Sequence, residues 1–239
     1  MAFQPQRVTP RLILFTRFPT PGEAKTRLIP MLGAKGAAVL HRVLTERTVE
    51  VLRTFGAPVE VHVTGASAQA FQNWLGNELT IIPQAEGGLG ERLLAALDPA
   101  PCIFFGADTP DLSPEIVAEA VAALETHDGV IGPAEDGGYY LIGMSTPQPA
   151  LFTDMAWSMD TVFAETMRRV GMLNRPALQP TRSSRAQSRD VSAGHSVSTK
   201  LDTNGLEEHQ TVGLNFLVLE PLSDCDRPED LARWPWLAT

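Results

Sequence analysis

Cysteine is scarce in this chain of 239 residues: Cys102 and Cys225 are the whole complement. Two thiols with no metal-ligand spacing argue against structural zinc and against a disulfide framework, and both are expected to be reduced bystanders. Long apolar runs are lacking too. No stretch approaches the roughly 20 residues that a bilayer span requires, and the opening MAFQPQRVTPRL has no apolar core of a secretory signal. A chain without a membrane span, staying in the cytoplasm, is expected. Positive charge is in deficit, with 19 Lys and Arg against 28 Asp and Glu and a net charge of -9. The summed field would repel nucleic acid and anionic membranes, so any phosphate must be held locally.

What is present is the composition of an ordinary globular protein, 44% hydrophobic and 20% charged. The length suits a single domain over 1–239. Short apolar runs that read as buried strands recur at RLILFT (11–16), VEVHVT (59–64), LTII (79–82), CIFFGA (102–107), GVIG (129–132) and YYLIGM (139–144). Helical patterns lie between them at 33–56, 67–76, 89–97 and 113–125. Ser113 and Pro114 supply an N-cap and a first helical residue, and Gly56 supplies a left-handed stop. Alternation at this spacing predicts an α/β fold, with a mainly parallel sheet covered on both faces in three α/β/α layers. From 175 to 212 the chain is serine-rich with no periodic apolar face, which predicts a flexible surface insertion. A further strand-like run, LNFLVLEPL, follows at 214–222.

Five stretches carry residues suited to chemistry. RFPTPGEAKTRL (17–28) leaves a strand through a turn at Pro21 and Gly22 and sets Lys25 and Arg27 at a helix threshold, where backbone N–H groups and side-chain cations suit an anion. It is neither a P-loop nor a GxGxxG fingerprint, and a stiff, solvated basic turn is the bland alternative. FFGADTPDL (104–112) puts Asp108 and Asp111 beyond the carboxyl end of a strand, where open α/β sheets bind ligands. Asp108 there suits a hard cation, Mg²⁺ or Mn²⁺, shared with phosphate oxygens; Asp111 equally suits the solvated entry of the next helix. GPAEDGGYYLIG (132–143) offers Asp136, Gly137 and Gly138 in a tight turn, GGLGERL (87–93) offers Gly88, Gly90 and Arg92 at a helix entry, and SDCDRPED (223–230) offers Asp224 and Asp226 as late carboxylates or helix caps. Trp157, before the last helix of this region, is expected as packing or as a substrate wall.

Taken in order, PTPGEAKTRL, GGLGERL, GADTPDL, GPAEDGGYYLIGM, FTDMAWSMDTV and DCDRPEDL resemble a bacterial glycosyltransferase-like, DUF2064-type family of the nucleotide-diphospho-sugar transferase superfamily, related to 2-phospho-L-lactate guanylyltransferase. The resemblance implies a GT-A-type sheet, a nucleotide or nucleotide sugar as donor, a small-molecule acceptor, and Mg²⁺ or Mn²⁺. By position it assigns Pro21, Gly22, Lys25 and Arg27 to the phosphate turn, with Gly88, Gly90 and Arg92 also on the nucleotide. It makes Asp108 the metal carboxylate with Asp226 (or Asp224) as a second ligand, Lys25, Arg27 and Asp108 the catalytic set, and Asp136, Gly137, Gly138 and Trp157 the acceptor side. The sequence departs from relatives at Gly88, where an acidic residue is frequent, and in its serine-rich insertion.

Three activities fit these residues. Glycosyl transfer from a nucleotide sugar is the first expectation, and nucleotidyl transfer with pyrophosphate release uses the same machinery. A non-catalytic nucleotide-binding module is the third. No residue stands out as a general base.

Overall fold

A computed structural model describes residues 9–173 and 214–238 of the chain. The stretch 175–212, expected as an insertion, lies outside the described residues. Among the described residues seven strands form one sheet: β1 (Arg11–Arg17), β2 (Val59–Thr64), β3 (Thr80–Pro83), β4 (Cys102–Phe105), β5 (Gly129–Pro133), β6 (Tyr139–Met144) and β7 (Phe216–Val218). Their order is β3-β2-β1-β4-β6-β5-β7. Every pairing is parallel except those of β6, which runs antiparallel to both β4 and β5. The expected three-layer, mainly parallel α/β sheet is therefore present, with one reversed strand brought in by the β5–β6 hairpin.

Among the described residues five α-helices flank the sheet: α1 (Ile29–Arg53), α2 (Ala68–Leu75), α3 (Leu89–Ala96), α4 (Pro114–Ala123) and α5 (Val162–Leu173). Strand alternation sorts the core into two faces. Leu12 and Leu14 of β1 with Ile103 and Phe105 of β4 meet Val49 and Leu52 of α1, Phe71 of α2 and Val117 of α4. Ile13, Cys102 and Phe104 point the other way, onto Leu93 of α3 and Val170 of α5. Helix α1 begins four residues earlier than its apolar periodicity predicts. Ile29 to Leu32 make an introductory turn, and Gly33, at φ 69° and ψ 165°, breaks it from the long helix that follows. Ser113 caps α4 as expected, accepting a hydrogen bond from the Ile116 N–H, and Gly56 is left-handed at φ 64°.

The chain order creates one place where connections diverge. From β1 the sheet continues through β2 and β3 on one side and through β4 on the other. The loops leaving β1 and β4 at their carboxyl ends thus flank the crevice where open α/β sheets bind ligands.

Candidate active site

The loop leaving β1 is held from below. Ala24 is fully buried, the Glu23 and Ala24 N–H groups donate to the Thr20 carbonyl at 3.0 and 3.3 Å, and Arg17 reaches the Glu23 carbonyl at 2.8 Å. Pro21 and Gly22 form the exposed crest, with Gly22 at φ 90°. Lys25 follows in the left-handed region at φ 48°, and a three-residue 3-10 turn, Thr26–Leu28, leads into α1. The expected helix threshold is thus a short, loosely aligned turn with little dipole of its own, so the charge of this loop resides in its side chains.

Those side chains do not both face outward. The Lys25 Nζ lies 2.6 Å from Asp108 Oδ1 and 2.6 Å from Asp226 Oδ1, and donates to the Cys225 carbonyl at 2.8 Å. Its side chain is only 5% exposed. Arg27 is 61% exposed and stands 3.7 Å from Asp226 Oδ2. Burial alone would lower the Lys25 pKa, but the two carboxylates more than reverse this and hold the ammonium above its usual range. Asp108 shows the converse balance: burial raises its pKa, and the adjacent Lys25 charge brings it below the ordinary value.

The late carboxylates arrive by backbone pairing. Beyond β7 the chain bridges Ala134 through Leu222, the Glu135 N–H donates to the Leu222 carbonyl at 3.0 Å, and the Cys225 N–H donates to the Asp108 carbonyl at 2.8 Å. Asp224 then accepts from the Thr109 hydroxyl at 2.7 Å. Burial first, and the Asp108, Asp136 and Asp226 charges with it, push its carboxyl up to about 7 against the pull of that hydrogen bond. Capping of the following 3-10 helix falls to Asp230, which accepts from the Asp226 and Arg227 N–H groups at 3.0 and 2.7 Å. The Asp226 carboxylate is therefore free for Lys25 and for the crevice. Asp111 is occupied elsewhere, accepting from the Trp234 indole N–H at 3.0 Å.

This donor set fits a hard divalent cation. Asp108 and Asp226 already close on a positive charge, the Lys25 ammonium standing in for an ion, and the Asp108 side chain remains 43% exposed toward the crevice. Among the described residues no three or more His, Cys, Asp or Glu side chains form a complete protein cage. Two carboxylates completed by phosphate oxygens are what Mg²⁺ and Mn²⁺ accept.

The other predicted residues separate into buried framework and exposed surface. A side chain at Gly90, which is buried, would press within 2.8 Å of the Trp157 indole nitrogen and 2.9 Å of the Phe152 carbonyl, so this glycine admits Trp157 to the α3 surface. Trp157 stacks at 6.4 Å on Phe152 and meets Tyr139 edge-on at 6.4 Å, as half-buried packing. Gly88 is exposed at the N-cap of α3. Arg92 braces the end of β3, donating to the Gly87 carbonyl at 2.9 Å and the Gln84 amide oxygen at 3.2 Å. Asp136 accepts from the Gly138 N–H at 2.9 Å, an Asx turn, and stays exposed. Gly137 is pressed against the Asp160 carbonyl.

Sequence reading did not single out His41. It sits buried on α1, where its Nε2 is 3.0 Å from the Arg17 carbonyl and 3.3 Å from the Thr16 hydroxyl at the end of β1. Burial lowers its pKa, with the Asp108 charge opposing. A lone histidine within an apolar helical pattern carries no signal of this in the sequence.

Residues 48–159 match a family described as uncharacterized proteins conserved in bacteria, DUF2064. A search of curated proteins returns no match. Among solved structures, a Desulfovibrio desulfuricans G20 protein proposed to be a nucleotide-diphospho-sugar transferase is 25% identical with a TM-score of 0.71, covering 91% of this chain and 82% of its own. Rv0371c from Mycobacterium tuberculosis H37Rv, in complex with manganese, is 14% identical with a TM-score of 0.42 over 95% of this chain and 97% of that one. The 4-diphosphocytidyl-2C-methyl-D-erythritol synthase of Anaerococcus prevotii DSM 20548 is 10% identical with a TM-score of 0.48 over 94% of both. The sheet order and the Desulfovibrio likeness together give the chain a GT-A-type nucleotide-diphospho-sugar transferase fold, and over residues 48–159 it carries the sequence pattern of the DUF2064 family.

Proposed function

We propose that this protein is a divalent-cation-dependent transferase that takes a nucleotide-activated donor, with glycosyl transfer from a nucleotide sugar to a small acceptor as its reaction. The observation that carries the reading is the meeting of Asp108, Asp226 and Lys25 at the point where the sheet diverges from β1, with Arg27 exposed beside them. The likeness to the Desulfovibrio protein supports the choice of a sugar donor. Asp108 and Asp226 would hold Mg²⁺ or Mn²⁺, which supplies Lewis-acid stabilisation of a diphosphate leaving group. Arg27 presents a guanidinium suited to the same oxygens. Asp136 and the Gly137–Gly138 turn would form the acceptor side, the place their sequence pattern assigns them. Nucleotidyl transfer is the second reading, favoured by two basic residues, Lys25 and Arg27, on one turn. Phosphoryl chemistry of that kind is mostly positioning and charge neutralisation.

The test is a thermal-shift panel of nucleoside triphosphates and nucleotide sugars with and without Mg²⁺ or Mn²⁺, followed by ³¹P NMR of any stabilising pair. Release of a nucleoside diphosphate is expected, and pyrophosphate would select the second reading. Failure of every nucleotide to stabilise the protein would sink both. Asp108→Asn should remove metal-dependent stabilisation and lower turnover by about 10²–10³-fold or more, at an unchanged circular dichroism spectrum. Full metal-dependent activity in that variant would take Asp108 out of the mechanism.

A further inference from the structure

Lys25 occupies the place in which the proposed function seats a divalent cation. Three oxygens match the three protons of its ammonium: Asp108 Oδ1 at 2.6 Å, Asp226 Oδ1 at 2.6 Å and the Cys225 carbonyl at 2.8 Å. No proton is left over for a phosphate. Lys25 holds a left-handed φ of 48°, a region that few side-chain-bearing residues other than asparagine and aspartate adopt. Arg27, two residues on, stays 61% exposed and, among the described residues, pairs only with Asp226, at 3.7 Å. The turn thus divides its two cations, one inward on the carboxylates and one outward.

An ammonium and a dication cannot both sit on the same pair of oxygens, because their repulsion at about 4 Å in a half-buried site is large. We propose that Lys25 is a positioning residue that exchanges with the divalent cation. With no cation bound, it draws Asp108 and Asp226 to bonding distance and neutralises part of their charge. When the cation enters, Lys25 leaves the pair and turns outward, to the side on which Arg27 already stands exposed, toward the phosphates of the donor. Cation and nucleotide therefore bind with positive coupling: the cation frees the ammonium that the nucleotide needs, and linkage makes the effect reciprocal. The inference rests on the assignment of Asp108 and Asp226 as cation ligands.

The chain has three lysines, Lys25, Lys35 and Lys200, so amine acetylation followed by mass spectrometry reads Lys25 directly in the unmutated protein, with exposed Lys35 as internal reference. Mn²⁺ alone should speed Lys25 acetylation by about tenfold, the scale expected when a committed ion pair is released. Addition of uridine or guanosine diphosphate should protect it again, with Lys35 unchanged throughout. Mn²⁺ occupancy is followed in parallel by electron paramagnetic resonance. Bound Mn²⁺ with Lys25 still protected overturns the exchange and leaves the cation assignment standing, whereas no Mn²⁺ binding, with or without nucleoside diphosphate, overturns both. A second arm uses Lys25→Met, which should bind Mn²⁺ about tenfold more tightly in the absence of nucleotide and should lose the coupling between the two ligands. Equal or weaker Mn²⁺ binding by that variant would overturn the proposal; should it fail to fold, the acetylation experiment decides alone.

Discussion

Tyr139 carries a hydroxyl that is buried without a hydrogen-bond partner among the described residues. Its ring opens β6 and meets Trp157 edge-on at 78°. The neighbouring Tyr140 faces the opposite layer and donates to the Glu220 carbonyl at 3.1 Å. Adjacent residues of one strand point to opposite faces, so only one of the two tyrosines finds a backbone acceptor. Burial raises the pKa of the Tyr139 phenol, which keeps it neutral but does not answer its lost hydration. An unmade hydrogen bond of a buried polar group costs about 1–3 kcal/mol, while the aromatic ring contributes the same packing without the oxygen. Tyr139→Phe should therefore raise stability by about 1 kcal/mol, or Tm by about 2–4 °C for a chain of this size. A lower Tm in that variant, measured calorimetrically without ligand, would show that the hydroxyl is bonded in solution.

The β5–β6 hairpin and the entry to α5 form one element pair, joined at Gly137. The Gly137 N–H donates to the Ala134 carbonyl at 3.1 Å and its own carbonyl accepts from Phe163 at 2.9 Å. It sits at φ 90°, and a Cβ there would fall 1.9 Å from the Asp160 carbonyl oxygen. Strain and overpacking both oppose any side chain, and neither neighbour is a flexible tip that can move aside. Gly137→Ala should cost about 2–4 kcal/mol, seen as a lower urea midpoint, and should loosen Trp157 with α5; a loss below about 0.5 kcal/mol would mean that the hairpin and α5 dock less firmly. The turn itself was legible in GPAEDGGYYLIG, because two glycines before a pair of tyrosines leave few alternatives. That it would anchor a helix some two dozen residues on was not, since a missing Cβ reports free space and does not name what fills it. The same holds for Gly90, which reads as part of a glycine-rich loop and serves to admit Trp157. Strands β1, β2 and β6 were legible to within a residue from apolar periodicity. The start of α1 was not, because Pro30 and Gly33 mask its first turn.

At the scale of the whole molecule, apolar runs locate strands but not all of their ends, since the runs at 102–107 and 214–222 shorten to Cys102–Phe105 and Phe216–Val218, and they say little of long-range partners. Asp108 was legible because a carboxylate directly after a buried strand needs a partner; that its partner is Lys25, with Asp226 at the far end of the chain, is a consequence of topology alone. The amino-terminal ends of β1 and β2 carry a second, partly buried charge network, and it sets a response to pH. Glu60 accepts from Arg11 at 2.8 Å, and the His62 ring lies 3.2 Å from the same carboxylate oxygen. His62 is 6% exposed and stacks at 5.2 Å on Phe15. Burial lowers its pKa from 6.5; Glu60 pulls upward and Arg11 downward, and burial prevails. A histidine with a depressed folded-state pKa contributes stability that is whole above the unfolded value, near 6.5, and is lost as pH falls below it, because the unfolded chain takes up the proton more readily. His62→Gln removes this term and leaves the remaining carboxylates and His41 in place. The stability of the unmutated protein relative to the variant, from urea unfolding at several pH values, should be largest at about pH 7 and shrink steadily toward about pH 5. A difference that is flat, or that grows toward acid, would mean that Glu60 holds the imidazole protonated in the folded state and that the ion pair, rather than burial, governs this end of the sheet.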